Sequence, residues 1–143
     1  MENAGTPIRK RKPNNAMIVN AGIDSGFFRK WCIFLRPFVE LTTREMDVLS
    51  SFLKQRWELS KKIKDRSILD TMLMSEETKK KVIKDCHITL QHFYVIMSNL
   101  RKHKVISDNR IDPRLIPNVR EDDNGIFMLT ILFKDNKPKD GVQ

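Results

Sequence analysis

The sequence predicts a mainly α-helical domain with a small antiparallel β-ribbon, preceded by an extended N-terminal arm. Three observations support this fold class. Between residues 41 and 103, apolar residues recur at helical spacing behind residues that cap helices. Two later segments are rich in β-branched and aromatic residues, as strands are. Residues 1–24 combine Pro, Gly and Asn with basic residues, so they form an arm that cannot bury enough apolar surface to fold alone.

Length and composition indicate one basic globular domain. A chain of 143 residues is sufficient for a single core. Its 27 Lys and Arg residues outnumber the 18 Asp and Glu residues, which gives a formal net charge of +9. This excess favours DNA or another polyanion as partner. No apolar run is long enough to span a membrane and no signal peptide is recognisable, so we expect a soluble cytoplasmic protein with no membrane partner.

Residues 25–40 contain the first predicted helix. Its aromatic residues recur at helical spacing, and Pro37 ends or kinks the helix. An amphipathic helix of this kind most often packs on its own domain. In the alternative interpretation the helix docks onto another protein through Phe27, Phe28, Trp31 and Phe34.

The second predicted helix, in residues 41–59, has the clearest start. Thr42 and Glu45 form a capping-box pattern, while Leu41 and Met46 are spaced as a hydrophobic staple. Its predicted buried face consists of Met46, Leu49, Phe52 and Leu53.

Three shorter helical patterns follow. The first is a short apolar pattern of Ile68, Leu69, Met72 and Leu73. The second has Ser75 as its cap, with acidic residues in the first turn, where the helix dipole favours anions. The third follows a four-residue turn at 86–89, has Thr89 as its cap and extends over residues 90–103. Its predicted inner face consists of Phe93, Ile96, Met97 and Leu100.

The β-ribbon is predicted from two segments, KVISDNRI (residues 104–111) and GIFMLTILFK (residues 125–134). We expect them to pair as antiparallel strands across a long loop, because the intervening residues include prolines, Asn and Gly. Residues 135–143 are polar and predict a loose tail.

This order of helices, tight turn, helix and ribbon resembles the winged helix-turn-helix family over residues 41–134. LTTREMDVL resembles the opening helix of many bacterial helix-turn-helix regulators, and NLRKHKVI resembles the end of a recognition helix that leads into a wing. The tight turn of that family often contains glycine, whereas His87 occupies this place here. Together, FFRKWCIFLRPFVELTTREMDVL and LRKHKVISDNRIDPRLIPN also resemble small winged-helix-like proteins of crAss-like tailed phages, a class that would include regulators and virion components.

The resemblance implies a non-enzymatic DNA-binding protein of the transcription or replication regulator type, of phage or bacterial origin. Residues 90–103 would lie in the major groove. The base-reading candidates are Gln91, Val95, Ser98, Asn99 and Lys102. The candidates for phosphate or other polyanion contact, from the arm, the helices and the wing, are Arg9, Lys10, Arg11, Lys12, Lys79, Lys80, Lys84, Arg101, Lys104, Arg110 and Arg114. Because the family commonly works as dimers, the resemblance also implies a homodimer.

Two alternatives stay open. The polar residues of the last helix and the lysines before it also fit an ordinary solvated surface. The chain also fits a virion structural protein, such as an auxiliary capsid or capsid-associated component. In that case the winged-helix core is a scaffold, the arm and the aromatic helix contact other virion subunits, and the protein is located in the virion.

Catalysis and cofactors find little support in the sequence. No phosphate-binding glycine loop or nucleophile motif is present, and the three histidines have no second metal ligand at suitable spacing. Cys32 and Cys86 lie among apolar neighbours, which predicts reduced core residues. We therefore expect no enzyme activity, no metal and no cofactor.

Overall fold

The computed structural model describes residue 22, residues 26–119 and residues 134–136. The described helices and strands all belong to one compact unit, Ile18–Ile116, which is mainly α-helical with a small two-stranded antiparallel sheet. The predicted fold class is confirmed at this level. A second unit combines residues 1–17 with 117–143, and its described residues contain no helix or strand. Within the described part of the chain, no helix is both long and apolar enough to cross a membrane.

The second helix is the centre of the unit. The helices are α1 (Phe27–Leu35), α2 (Thr43–Ser60), α3 (Arg66–Leu73), α4 (Glu76–Cys86) and α5 (Leu90–Lys102). The strands are β1 (Ile106–Ser107) and β2 (Arg110–Ile111), followed by a short 3₁₀ helix at Pro113–Leu115. Each of the other four helices packs against α2, while β1 packs against α5 and β2 against α3. The core therefore lies around α2, where Val48, Leu49 and Phe52 are fully buried.

The first helix packs on α2. Its buried side consists of Phe27, Phe28, Cys32 and Leu35. The Arg29 guanidinium donates to the Asp47 carboxylate at 2.8 Å, which joins α1 to α2. The helix ends at Leu35, two residues before Pro37, as the proline predicts. At its far side, the Trp31 indole Nε1 donates to the Leu115 carbonyl at 2.8 Å and so joins α1 to the 3₁₀ helix.

The predicted start and buried face of α2 are confirmed. The Glu45 backbone N–H donates to Thr42 Oγ1 at 3.2 Å, and the Thr42 N–H donates to Glu45 Oε1 at 3.1 Å. This reciprocal pair satisfies two backbone donors that the first turn of a helix otherwise leaves unpaired. The predicted core residues of α2 are all buried, as is Leu41 before the cap.

The third helix buries only part of its apolar pattern. Leu69 and Leu73 are buried, whereas Ile68 and Met72 are exposed, because only one side of α3 packs against α2. Asp65, which the sequence pattern did not identify as a cap, accepts from the backbone N–H groups of Ser67 and Ile68.

The tight turn between α4 and α5 consists of residues 87–89, one residue fewer than the predicted turn at 86–89, because Cys86 is the last residue of α4. His87 lies in the left-handed region with a φ of 54°. Winged helix-turn-helix proteins, which the sequence resembles, often have glycine at this position of the turn. The Ile88 N–H donates to the Ile83 carbonyl and the His87 N–H to the Lys84 carbonyl, both at 3.3 Å, which is the Schellman pattern of helix ends. The caps of the two helices are also confirmed, since Ser75 accepts from Thr78 N–H and Thr89 from His92 N–H.

Replacing His87 with glycine is expected to raise the free energy of unfolding by about 0.5–1 kcal/mol. The left-handed region costs an L-residue roughly 1–2 kcal/mol, and glycine's extra entropy in the unfolded chain offsets about half of that. Urea denaturation of the two proteins measures the difference. As a control, His92→Gly in the first turn of α5 is expected to lower stability by about 0.5 kcal/mol, since histidine is itself a weaker helix former than alanine. A loss of stability in both variants would contradict the left-handed assignment.

The β-ribbon differs from the prediction. Residues 104–111 were predicted to form one strand, but they contain both strands of a hairpin, with Ile106 opposite Ile111 and Ser107 opposite Arg110. Asp108 and Asn109 form the two-residue turn, and both have positive φ, as a type I′ hairpin turn requires. The predicted partner strand at 125–134 falls almost entirely outside the described residues, and Lys134 itself is not in a strand.

Candidate nucleic-acid interface

The outer side of α5 is a single stripe of exposed side chains. Gln91, Val95, Ser98 and Lys102 are spaced by four, three and four residues, so they lie in one line along the helix. All four are exposed, and a fifth base-reading candidate, Asn99, is half-buried beside them. The opposite side of α5 is the predicted inner face, whose four apolar residues are buried. The structure thus brings the base-reading candidates together on one surface.

Packing on the inner face fixes the direction of this stripe. The rings of Phe93 and Phe52 lie 6.2 Å apart, between α5 and α2. The preceding helix is held to α2 by the Ser51 hydroxyl, which donates to the Asp85 carboxylate at 2.9 Å. Because α4 and α5 both pack on α2 and a tight turn joins them, the orientation of α5 is determined by the core of the unit.

Sequence reasoning missed two exposed apolar residues of α5. Leu90 is 56% exposed and Tyr94 is 49% exposed, next to Val95 at 54%. Leu90 and Tyr94 are four residues apart, so they form a second line directly beside the stripe. The sequence contained one signal for their exposure. Phe93, Ile96, Met97 and Leu100 already form a complete inner face of α5 without Leu90 and Tyr94.

The C-terminal end of α5 is cationic. Arg101, Lys102 and Lys104 are exposed, and among the described residues they form no ion pair. Between residues 87 and 107 the sequence contains no Asp or Glu. This segment therefore adds no negative charge of its own to the end of α5, and the carboxylates of Glu40 and Glu45 line a cleft together with His103.

The cations of α4 are less uniform than predicted. Lys80 and Lys84 are exposed, but Lys79 is half-buried and its ammonium lies 3.7 Å from the Glu76 carboxylate. Glu77 is also exposed on this helix. These acids weaken the attraction of α4 for phosphate relative to the end of α5.

The two basic candidates that follow α5 behave differently. Arg110 is exposed on β2. Arg114 is paired with Asp112, to which its Nη2 donates at 2.7 Å and its Nε at 3.2 Å. This pairing lowers the pKa of the Asp112 carboxyl and raises that of Arg114. The Arg114 side chain is 87% exposed, so the Asp112 carboxylate competes with phosphate for its guanidinium, and its role as a phosphate contact stays a prediction. The arm candidates Arg9, Lys10, Arg11 and Lys12 lie outside the described residues.

The aromatic docking prediction is corrected for two of its four residues. Phe27 and Phe28 are buried in the unit's own core, so their rings have no free surface for a partner. Trp31 is half-buried, while Phe34 is exposed and lies 5.8 Å from the Trp31 ring and 6.0 Å from the Phe38 ring. Ile33 and Phe38, which the prediction did not include, are exposed as well.

The titratable side chains of the described residues offer no metal-binding cluster. No group of three or more His, Cys, Asp and Glu side chains there is placed to hold a metal ion. Cys32 and Cys86 are buried free thiols, and burial raises their pKa to about 12 and about 11. The open cleft of about 390 Å³ between α1 and the end of α5 contains two carboxylates, of which Glu45 belongs to the capping box. It is lined by Arg36, Glu40, Leu41, Thr42, Glu45 and His103.

Comparison of the chain with models of known protein families, with curated proteins and with solved structures found no significant match. The exposed surface of α5 is therefore the feature of the molecule from which a function can be inferred.

Proposed function

We propose that this chain is a non-enzymatic winged-helix protein that binds duplex DNA, with α5 in the major groove and the β1–β2 hairpin as a short wing. The observation that supports this most directly is the exposed stripe of α5, which contains no carboxylate and ends in cations that form no ion pair with any residue that the structure describes. A helix with its side chains is about 10–12 Å across, and the major groove of B-DNA is about 12 Å wide.

The two ends of α5 have different roles in this proposal. Gln91 and Val95 lie in the N-terminal half, which contacts base edges in helix-turn-helix proteins. Arg101, Lys102 and Lys104 lie at the C-terminal end, where they contact phosphates and supply affinity without sequence information. Lys80, Lys84 and Arg110 add further cations on the neighbouring elements.

The variant Arg101→Ala/Lys102→Ala is expected to bind a mixed-sequence duplex more weakly and with a shallower salt dependence. Each lost phosphate contact reduces the slope of log affinity against log salt by about 0.9. Fluorescence anisotropy of a labelled duplex, titrated with the full chain across a salt series, measures both quantities. Both residues lie on an exposed helical surface, where alanine is well tolerated.

The matched control is Lys62→Ala/Lys64→Ala, which removes the same charge from the exposed loop between α2 and α3. It is expected to change affinity only slightly. Equal slopes for the two double variants would mean that the chain attracts DNA through its net charge alone, and would refute binding through α5.

A second candidate function is that of a structural component of a virion, with the same unit as scaffold. The exposed side chains of Ile33, Phe34 and Phe38 favour it, because large exposed apolar groups are typical of protein contacts and the Phe34 and Phe38 rings lie 6.0 Å apart. The duplex titration also separates the two candidates. A scaffold of this kind is expected to lose duplex binding near physiological salt in both double variants and in the unaltered chain.

A further inference from the structure

The N-terminal half of α5 combines three exposed apolar side chains with one amide. Leu90, Tyr94 and Val95 are each about half exposed, and Gln91 lies among them. An exposed helix surface ordinarily has polar side chains at such positions. Three large apolar groups together gain stability only when a partner covers them, at about 25 cal/mol per Å² of apolar surface.

The chemistry of this group matches one kind of base pair. In the major groove, thymine is the base that presents an apolar group, its 5-methyl, and adenine presents the N6 donor and N7 acceptor that a glutamine amide pairs with. Cytosine is recognised through its N4 donor by carboxylates, and α5 contains none. Guanine is recognised by Arg or Lys, and those residues lie only at the other end of the helix.

We infer that α5 selects A·T base pairs, with Gln91 pairing to adenine and with Leu90, Tyr94 and Val95 covering thymine methyl groups. This inference rests on the proposed duplex binding and names its preferred substrate. The apolar group, rather than the cations, then determines where the protein binds, while Arg101 and Lys102 determine how tightly it binds any duplex.

The dimensions of the group limit the number of base pairs involved. From Leu90 to Val95 the helix rises about 7 Å, at about 1.5 Å per residue. Successive base pairs are about 3.4 Å apart along the duplex. The group therefore spans about two to three adjacent base pairs, and a run of mixed A and T of that length is sufficient.

The experiment uses the full chain and three duplexes of equal length that share their flanking sequence. The central segment is mixed A·T, the same segment with uracil in place of thymine, or G·C. Uracil differs from thymine only by the missing methyl group, so the phosphates and the hydrogen-bonding edges stay constant. We expect the tightest binding to the thymine duplex and about threefold weaker binding for each covered methyl that is lost.

A variant of the protein tests the same contact with the thymine methyl groups. Leu90→Ala/Val95→Ala is expected to discriminate between the thymine and uracil duplexes much less than the unaltered chain does, because only Tyr94 remains of the three side chains that cover the methyl groups. Both residues are exposed and alanine favours helix, so this variant is expected to fold. Its urea denaturation curve, compared with that of the unaltered chain, verifies this.

The outcomes distinguish the inference from the function on which it rests. Equal affinity of the unaltered chain for the thymine and uracil duplexes, with duplex binding intact, overturns the A·T selection and leaves the proposed function standing. Tighter binding to the G·C duplex overturns the selection too. If the unaltered chain binds none of the three duplexes near physiological salt, both proposals fail and the apolar group of α5 becomes a protein contact.

Discussion

Replacing Phe93 with alanine is expected to lower the free energy of unfolding by about 3–5 kcal/mol, a large part of the stability of a domain this size. Phe93 is 1% exposed and its ring lies 6.2 Å from that of Phe52, which is fully buried on α2. Truncation removes buried apolar surface and leaves a cavity that the surrounding helices fill only in part. The substitution removes the contact between Phe93 and Phe52, which determines which side of α5 faces outward.

Urea denaturation followed by tryptophan fluorescence measures this effect. The matched control is Tyr94→Ala, the next residue along the chain, which is 49% exposed and touches Phe93 edge-on with ring centroids 5.8 Å apart. We expect it to cost about 1 kcal/mol or less. Similar losses for the two variants would mean that the inner and outer faces of α5 are assigned wrongly, and with them the surface that is proposed to bind DNA.

The chain is expected to lose stability steeply above pH 9 because of its two buried thiols. Burial raises the pKa of Cys32 from its ordinary value of 9.0 to about 12 and that of Cys86 to about 11, and in Cys86 the neighbouring Asp85 carboxylate adds to the effect. The unfolded chain therefore releases these protons at a lower pH than the folded chain. The stability that each neutral, buried thiol contributes is fully present below pH 9. It is lost as the pH rises towards 11 for Cys86 and towards 12 for Cys32, at about 1.4 kcal/mol per pH unit for each thiol.

The variant Cys32→Ala/Cys86→Ala isolates this effect from the titration of lysines in the same range. Losing two buried sulfur atoms lowers its stability by a constant amount at every pH. Its alkaline decline, measured by urea denaturation at a series of pH values between 8 and 10.5, is expected to be shallower than that of the unaltered chain. Parallel curves would show that the thiols ionise as readily in the folded chain as in the unfolded one.

Helix starts were predictable because they depend on neighbouring residues. The caps at Thr42, Ser75 and Thr89 each satisfy a backbone donor three residues later, so the sequence contains both partners. The left-handed turn residue was also located by its place between two helices, although His87 is not the glycine that the family often has.

Other features depend on residues far apart in the chain. Whether Phe28 or Phe34 is buried depends on how α1 lies on α2, and the aromatic spacing alone does not decide that. The exposed position of Tyr94 likewise follows from the packing of α5. The hairpin was mispredicted for a local reason, because Asp108 and Asn109 are a two-residue turn within a segment whose β-branched residues suggested one strand.

The hydrogen bond from Trp31 to Leu115 joins positions 84 residues apart, at the two ends of the compact unit. Closing so long a loop costs entropy, which the packing of the whole unit must offset. The residues from 41 to 116 therefore depend on α1 for part of their packing. Any shortened version of the protein that keeps α5 in its present orientation must also keep α1, whose removal would expose the apolar side of α2 and leave the Leu115 carbonyl without its donor.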